Sequence, residues 1–316
     1  MIDLWFVIIA FLWTGYFVLE GFDFGVGMLS PFLGRNEGQR KQVLQTIGPV
    51  WDGNEVWLIT AVGAMFAAFP AWYAGFLSSF YLPLTLVLAG LIVRGVALEW
   101  RGKLEHSSDR AWADVGIAAG SALPAFLWGA VFADVLLDSG VAALVGGAFS
   151  LAVCLLHGAV FLALRTEGVV RRRARAAAMG TLVAVIPLGI VALSSIPREG
   201  SGAVWIAAGT AMALLAAGGS LIWRRREGWA FAATAGAIAL ASAALFGTLA
   251  GAPMPGLTLE QAASGPYTLN VLTWIGLAIL PFVLGYQGWT YWVFRKRISA
   301  PGGAAQVQRA QTGIGQ

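Results

Sequence analysis

LWFVIIAFLWTGYFVLEGFDFGVGML, residues 4–29, decides the fold class, and Glu20 and Asp23 are the only charged residues in it. A helix needs about 20 mainly apolar residues to cross the ~30 Å hydrocarbon layer, and this stretch has enough. No basic region precedes it and the apolar run is too long for a signal-peptide core, so it reads as a first membrane span. Eight further segments of the same kind follow at about 44–69, 74–98, 111–134, 141–164, 174–194, 202–223, 228–249 and 268–294. Pro, Gly or charge marks nearly every connection, and residues 251–266, with APMPG and SGP, read as the longest outer loop. The expectation is an all-α integral membrane protein with nine transmembrane helices. Residues 1–298 would form the membrane domain, and 299–316, rich in Gly, Ala and Gln, a disordered cytoplasmic tail.

Composition agrees. The chain is 58% hydrophobic and 11% charged, with a mean hydropathy of +0.75, whereas a water-facing domain carries roughly 25% charged residues. The 41 glycines are spread through apolar runs, where they let membrane helices approach closely. The single cysteine, Cys154, excludes a disulfide framework and a CxxC metal site.

The net charge of +4 could suggest nucleic acid, but its distribution says otherwise. All but one of the 20 Lys and Arg residues lie at the end of, or after, spans one, three, five, seven or nine, in clusters such as Arg171–Arg173 and Arg224–Arg226; only Arg198 lies on the other side. The positive-inside rule then puts the N-terminus outside and the C-terminus in the cytoplasm. The clusters read as topogenic and facing anionic membrane lipids, with no nucleic-acid partner.

Charged groups at membrane depth are costly and usually mark a pathway or a partner. Glu20 and Asp23 lie three apart on one helix face, beside a Gly21/Gly25 small-residue pair suited to close helix packing. Span two carries WDGNEVW, with Trp51, Asp52, Asn54 and Glu55, and Pro49 just upstream to kink or start the helix. Span three ends with Arg94 and Glu99. With the topology above, these groups fall in one leaflet. They read either as a structural ion-pair network in which Arg94 neutralises a carboxylate, or as desolvated acids that pass protons in from the cytoplasm.

His157, in LLHGAVFLALRTEG, is open to three readings: a haem ligand, a proton relay or a polar helix contact. Ligation by this chain is disfavoured because the other histidine, His106, lies in a charged loop, although Met28 or Met65 remains as a second axial ligand. Tryptophans near span ends (Trp72, Trp100, Trp112, Trp223, Trp229, Trp292) read as interfacial belt residues. No phosphate-binding loop, HExxH or nucleophile elbow is present, and no metal site is expected.

GFDFGVGML (21–29) with PVWDGNEVWLIT (49–60) resembles the two N-terminal signatures of subunit II of the bacterial cytochrome bd quinol oxidases. The match continues through LGRN (33–36), the arginine of LIVRGVALEWRGK (Arg94), HGAVFLALRTEG (157–168) and YTLNVLTWIGLAILP (267–281). The resemblance implies two four-helix bundles, about 4–134 and 141–249, plus a peripheral ninth helix at 268–294. It implies a haem-bearing subunit I as partner, which holds the b- and d-type haems and oxidises quinol from the quinone pool. The present chain would carry no haem, while the complex reduces dioxygen to water with protons drawn from the cytoplasm. Asp52 matches the aspartate assigned to a proton path at the interface with subunit I. Asp23, Trp51 and Asn54 match flanking positions; Glu20 and Glu55 stay open between pathway and pairing. Some family members hold a structural quinone in this subunit, which no motif here establishes, and a small single-helix subunit is a further partner that the sequence leaves open. The alternatives from other classes are a proton-coupled secondary transporter, for which no paired helix interruption is found, and a non-catalytic assembly scaffold.

Overall fold

The computed structural model describes residues 1–194 and 201–299, and every regular element in them is helical. In order these are α1 (Ile2–Leu33), α2 (Glu37–Leu44), α3 (Trp51–Ala68), α4 (Pro70–Ser79), α5 (Tyr81–Arg101) and α6 (Ser107–Leu137). They continue as α7 (Gly140–Arg165), α8 (Gly168–Ser194), α9 (Gly202–Trp223), α10 (Glu227–Leu249), α11 (Leu259–Ala262) and α12 (Pro266–Val293). Among the described residues, 8 helices are long and apolar enough to cross a membrane. The expected second span is the exception. As α3 it has 18 residues, about 27 Å at 1.5 Å per residue, and its first turns carry Asp52, Asn54 and Glu55. Arg198 and the tail at 300–316 lie outside the described residues.

α1 is the hub: it packs against α3, α6, α7 and α10. Every residue from Glu20 to Ser30 is buried, which an amphipathic surface helix would not allow. Glycine makes this possible. A β-carbon at Gly25 would fall on the Cys154 carbonyl of α7, and one at Gly158 would meet the Gly25 backbone in return, so the two helices touch main chain to main chain. Gly21, the other member of the expected pair, has only ordinary contacts near 3.9 Å. On the other flank an aromatic cluster fills the space. Trp13 meets Trp128 edge-on at 5.0 Å between centroids, Trp128 Nε1 donates to the Tyr16 hydroxyl at 3.0 Å, and Trp13 Nε1 donates to Met65 Sδ at 3.4 Å.

Two segments depart from the sequence expectation. The stretch 44–69 is not one helix: α2 ends at Leu44, residues 45–50 turn, and α3 begins at Trp51, two residues after Pro49. The stretch 74–98 is divided by Phe80 into α4 and α5. Pro70 starts α4 at its first position, where its missing N–H costs nothing, and the carbonyls ending α3 need other donors. The loop after α10 supplies them: Ser264 N donates to Ala68 O at 2.8 Å and Ser264 Oγ to Ala67 O at 2.7 Å. That loop is ordered by α11, whose N-cap Thr258 forms a capping box with Gln261.

α12 lies at the periphery, against α3, with Leu269 its one buried residue. Trp5 Nε1 pins it by donating to Leu269 O at 3.2 Å and Thr273 Oγ1 at 3.0 Å. Trp72 is not a belt residue: it is 2% exposed and stacks on Phe6, because α4 turns back onto the aromatic core. The other five tryptophans named above are exposed.

The basic helix ends do meet on one side. Arg101 forks onto Glu37 of α2 at 2.8 and 3.0 Å and onto Asp114 of α6 at 2.6 and 3.3 Å, and Arg40 also pairs with Asp114. These hydrogen bonds from Arg101 hold the Glu37 carboxyl below its usual range. After α12 the chain crosses the same side: Ile298 N donates to Arg165 O at 2.8 Å, and Gln42 Nε2 to Ile298 O at 2.7 Å.

Candidate functional site

Three helices bring charge into the interior. Arg94 of α5 is fully buried, as are Glu20 and Asp23 of α1. Arg94 Nη1 binds Glu20 Oε1 and, at 3.0 Å, Glu55 Oε1 of α3. Its guanidinium also lies 5.1 Å from the centroid of the Phe24 ring. Arg94 can run into this space because Gly120 of α6 faces it: a β-carbon there would sit 2.9 Å from Arg94 Cβ. Glu55 differs from its neighbours in being 21% exposed at its side chain, so it lies between the buried pair and the chain surface.

Asp23 belongs to a second, linked group. Asn54 Nδ2 donates to Asp23 Oδ2 at 2.7 Å. The Asn54 amide oxygen in turn accepts from Gln287 Nε2 at 3.0 Å and from the Tyr291 hydroxyl at 2.8 Å, both on α12. Several buried polar atoms have no hydrogen-bond partner among the described residues: Glu20 Oε2, Asp23 Oδ1, and Arg94 Nε and Nη2.

Of the residues singled out in the sequence, Glu20, Asp23, Asn54, Glu55 and Arg94 converge. Asp52 is exposed on the surface of this chain, three residues from Glu55 and on the same helix face. Trp51 is half-buried, and its ring forms the wall that a β-carbon at Gly95 would meet at 3.4 Å. Glu99 stands apart, exposed and bonded to Lys103 at 2.7 Å. At 100° per residue, five residues turn it about 140° away from Arg94, which is why it leaves the cluster. Gln287 and Tyr291 were not anticipated. A lone glutamine in the apolar run 268–294 was the available signal.

His157 is fully buried in α7 and stacks on Phe231 at 4.7 Å. Its Nε2 lies 3.2 Å from the Val18 carbonyl, which can only accept, so Nε2 carries the proton. Nδ1 then accepts from Thr234 Oγ1 at 2.7 Å. Both nitrogens are thus engaged by protein, and Met65 sulfur already accepts from Trp13. In this arrangement His157 makes polar contacts with α1 and α10.

A second feature is an apolar cavity of about 290 Å³ between α1, α6, α7, α8, α9 and α10, walled by Tyr16, Trp128, Phe149, Met212 and Leu215 among others.

Comparison with known proteins accords with this architecture. The sequence profile of the family described as cytochrome bd terminal oxidase subunit II matches residues 1–294. The chain is 40% identical to the cytochrome bd ubiquinol oxidase subunit 2 of Bacillus subtilis (strain 168), covering 94% of this chain and 96% of that protein. It is 32% identical to the cytochrome bd-I ubiquinol oxidase subunit 2 of Escherichia coli (strain K12), covering 94% of each. The solved structure of bd oxidase from Geobacillus thermodenitrificans superposes with a TM-score of 0.76 over 92% of this chain and 98% of that one, at 16% identity, a likeness of fold. A profile spanning the whole membrane region, relatives matched end to end and the shared helical fold lead to one conclusion: the chain belongs to the cytochrome bd terminal oxidase subunit II family.

Proposed function

We propose that this chain is the haem-free subunit II of a quinol:dioxygen oxidoreductase, and that its buried acid cluster forms part of the path by which protons reach the oxygen-reducing centre. The haems would reside in subunit I, its partner, which would also oxidise the quinol. The observation that carries the proton reading is the placing of Glu55. It is partly exposed beside Asp52 on one side and bonded to buried Arg94, and through Arg94 linked to Glu20, on the other. One guanidinium faces three carboxyl groups, so a neutral cluster carries two protons shared among them. Such a set can accept a proton at Glu55 and release one from another carboxyl without any residue leaving its helix. Asp52 would supply the outer, water-facing acid at the contact with subunit I.

The engaged nitrogens of His157 support the haem-free reading. The arginine-rich helix ends support a cytoplasmic C-terminus and an outward N-terminus. The helices divide into a first bundle of α1, α3, α5 and α6 and a second of α7 to α10, with α12 outside both. The apolar cavity is of a kind that would take the isoprenoid chain of a structural quinone. A transporter reading is weaker, since the polar groups cluster on one side and a family of oxidase subunits matches end to end.

The test is purification of the tagged chain from native membranes, with a dithionite-reduced absorption spectrum. A second polytopic subunit carrying b- and d-type haem bands is expected; a haem-free single species would overturn the oxidase reading. Asp52→Asn in that complex should lower turnover and proton uptake while leaving the haem bands intact. Unchanged proton uptake would remove Asp52 from the path.

A further inference from the structure

We infer that the arginine-lined cleft between the start of α8 and the end of α9 binds the phosphate of an anionic phospholipid headgroup. Arg172 and Arg175 of α8, with Trp223 and Arg225 at the end of α9, border a cavity of about 290 Å³ floored by Met179 and Ile222. The carboxylate beside it is already committed. Glu227, 4% exposed, accepts from Arg175 Nε at 2.6 Å and from Arg171 Nη2 at 3.0 Å. Arg172 and Arg225 are exposed, and among the described residues neither guanidinium has a side-chain acceptor or an ion-pair partner. The cleft therefore holds uncompensated positive charge.

Arg225 has φ 60°, in the left-handed region that an L residue with a β-carbon seldom adopts. Gly or Asn is the ordinary choice there. Arginine at this position adds a second exposed arginine, with Arg172, to the lining of the cleft. Trp223 is 75% exposed, and an exposed indole at a span end belongs at headgroup depth. A cationic rim over an apolar floor matches a molecule with an anionic head and a hydrocarbon body. A free phosphate ion would use the rim and leave Met179 and Ile222 without a partner. Guanidinium groups bind phosphate oxygens through charge-assisted hydrogen bonds, several at once where they converge.

The test is native mass spectrometry of the full-length chain, together with the subunits that accompany it from native membranes, after delipidation and titration with phosphatidylglycerol or phosphatidylcholine. The parent should retain phosphatidylglycerol and not phosphatidylcholine. Arg172→Ala combined with Arg225→Gly should weaken that binding about tenfold, in line with the loss of two charge-assisted contacts. Arg224→Ala, a neighbouring arginine outside the cleft, should leave it unchanged. Glycine takes φ 60° without strain, so Arg225→Gly should melt no lower than the parent, which separates loss of lipid from loss of fold. Arg172→Ala alone, at an exposed helical position, should weaken binding in the same direction. Equal binding by the double variant would overturn the proposal, as would an equal loss in Arg224→Ala. Displacement of the lipid by millimolar inorganic phosphate would show a free-anion site instead.

Discussion

Replacing Arg94 by Met removes the cation bonded to buried Glu20 and part-buried Glu55, and the structure sets the size of the effect. Arg94 and Glu20 are both at 0% side-chain exposure, and Glu55 is at 21%. Methionine fills much of the arginine stem's volume, so the main loss is charge and not packing. Removing one partner of a buried pair costs about 3–5 kcal/mol, because the other charge is left uncompensated. At about 2–4 °C per kcal/mol, taken from domains of 150–250 residues, the melting midpoint should fall by roughly 6–20 °C. The assay is thermal unfolding of the detergent-purified complex, followed by loss of soluble oligomer. Adding Glu20→Gln to Arg94→Met should recover part of the loss, since the stranded carboxylate is then gone. A midpoint equal to the parent's in Arg94→Met, or a double variant no better than the single, would refute the view that Arg94 neutralises these acids.

Three further outcomes follow from the geometry. Tyr291→Phe and Gln287→Leu each remove a donor to the Asn54 amide oxygen; each should cost about 0.5–1.5 kcal/mol and, by freeing Asn54 to rotate, slow turnover with the haem spectrum unchanged. Gly25→Leu should abolish assembly, because its side chain would occupy the backbone of Cys154 and Gly158, and the yield of purified complex reads this directly; normal yield would contradict the close contact of α1 with α7. Glu37 has its folded pKa lowered from 4.5 by Arg101, so its contribution is present above that value and lost as pH falls through the lower, folded one. Protection of the α2 amides, taken relative to their intrinsic exchange rates, should therefore fall on acidification below about pH 4.5, and Glu37→Gln should show the reduced protection already at neutral pH.

Much of the site was legible because charge in an apolar run is conspicuous and helical spacing fixes which residues share a face. Glu20, Asp23, Glu55 and Arg94 could be grouped from residue type and inferred depth alone, whereas Asn54 entered through the family resemblance. Their pairing could not be read that way. Glu20 and Asp23 share a face yet go to different partners, Arg94 of α5 and Asn54 of α3, a choice that spacing along α1 alone does not fix. Glu99 was grouped by proximity in sequence, but five residues carry it to the far side of α5. The contribution of α12 was hidden for a different reason. Its register on α3 is set by Trp5 bonding Leu269 and Thr273, more than 260 residues away in the chain. The turn at residues 45–50 is hidden in an expected span because apolar residues flank it, while α2 lies almost wholly in the connection before that span; Trp72 leaves the belt because α4 folds inward.

The proposed proton path enters through the Glu55 end of the cluster. The most direct measurement is the rate of proton uptake during turnover by the purified complex in liposomes, comparing Glu55→Gln with Glu99→Gln. Both remove one carboxylate on the same side, but only Glu55 touches Arg94. The account predicts slowed turnover and proton uptake in Glu55→Gln, with intact haem bands, and parental behaviour in Glu99→Gln. Parental proton uptake in Glu55→Gln, or equal loss in both variants, would contradict it.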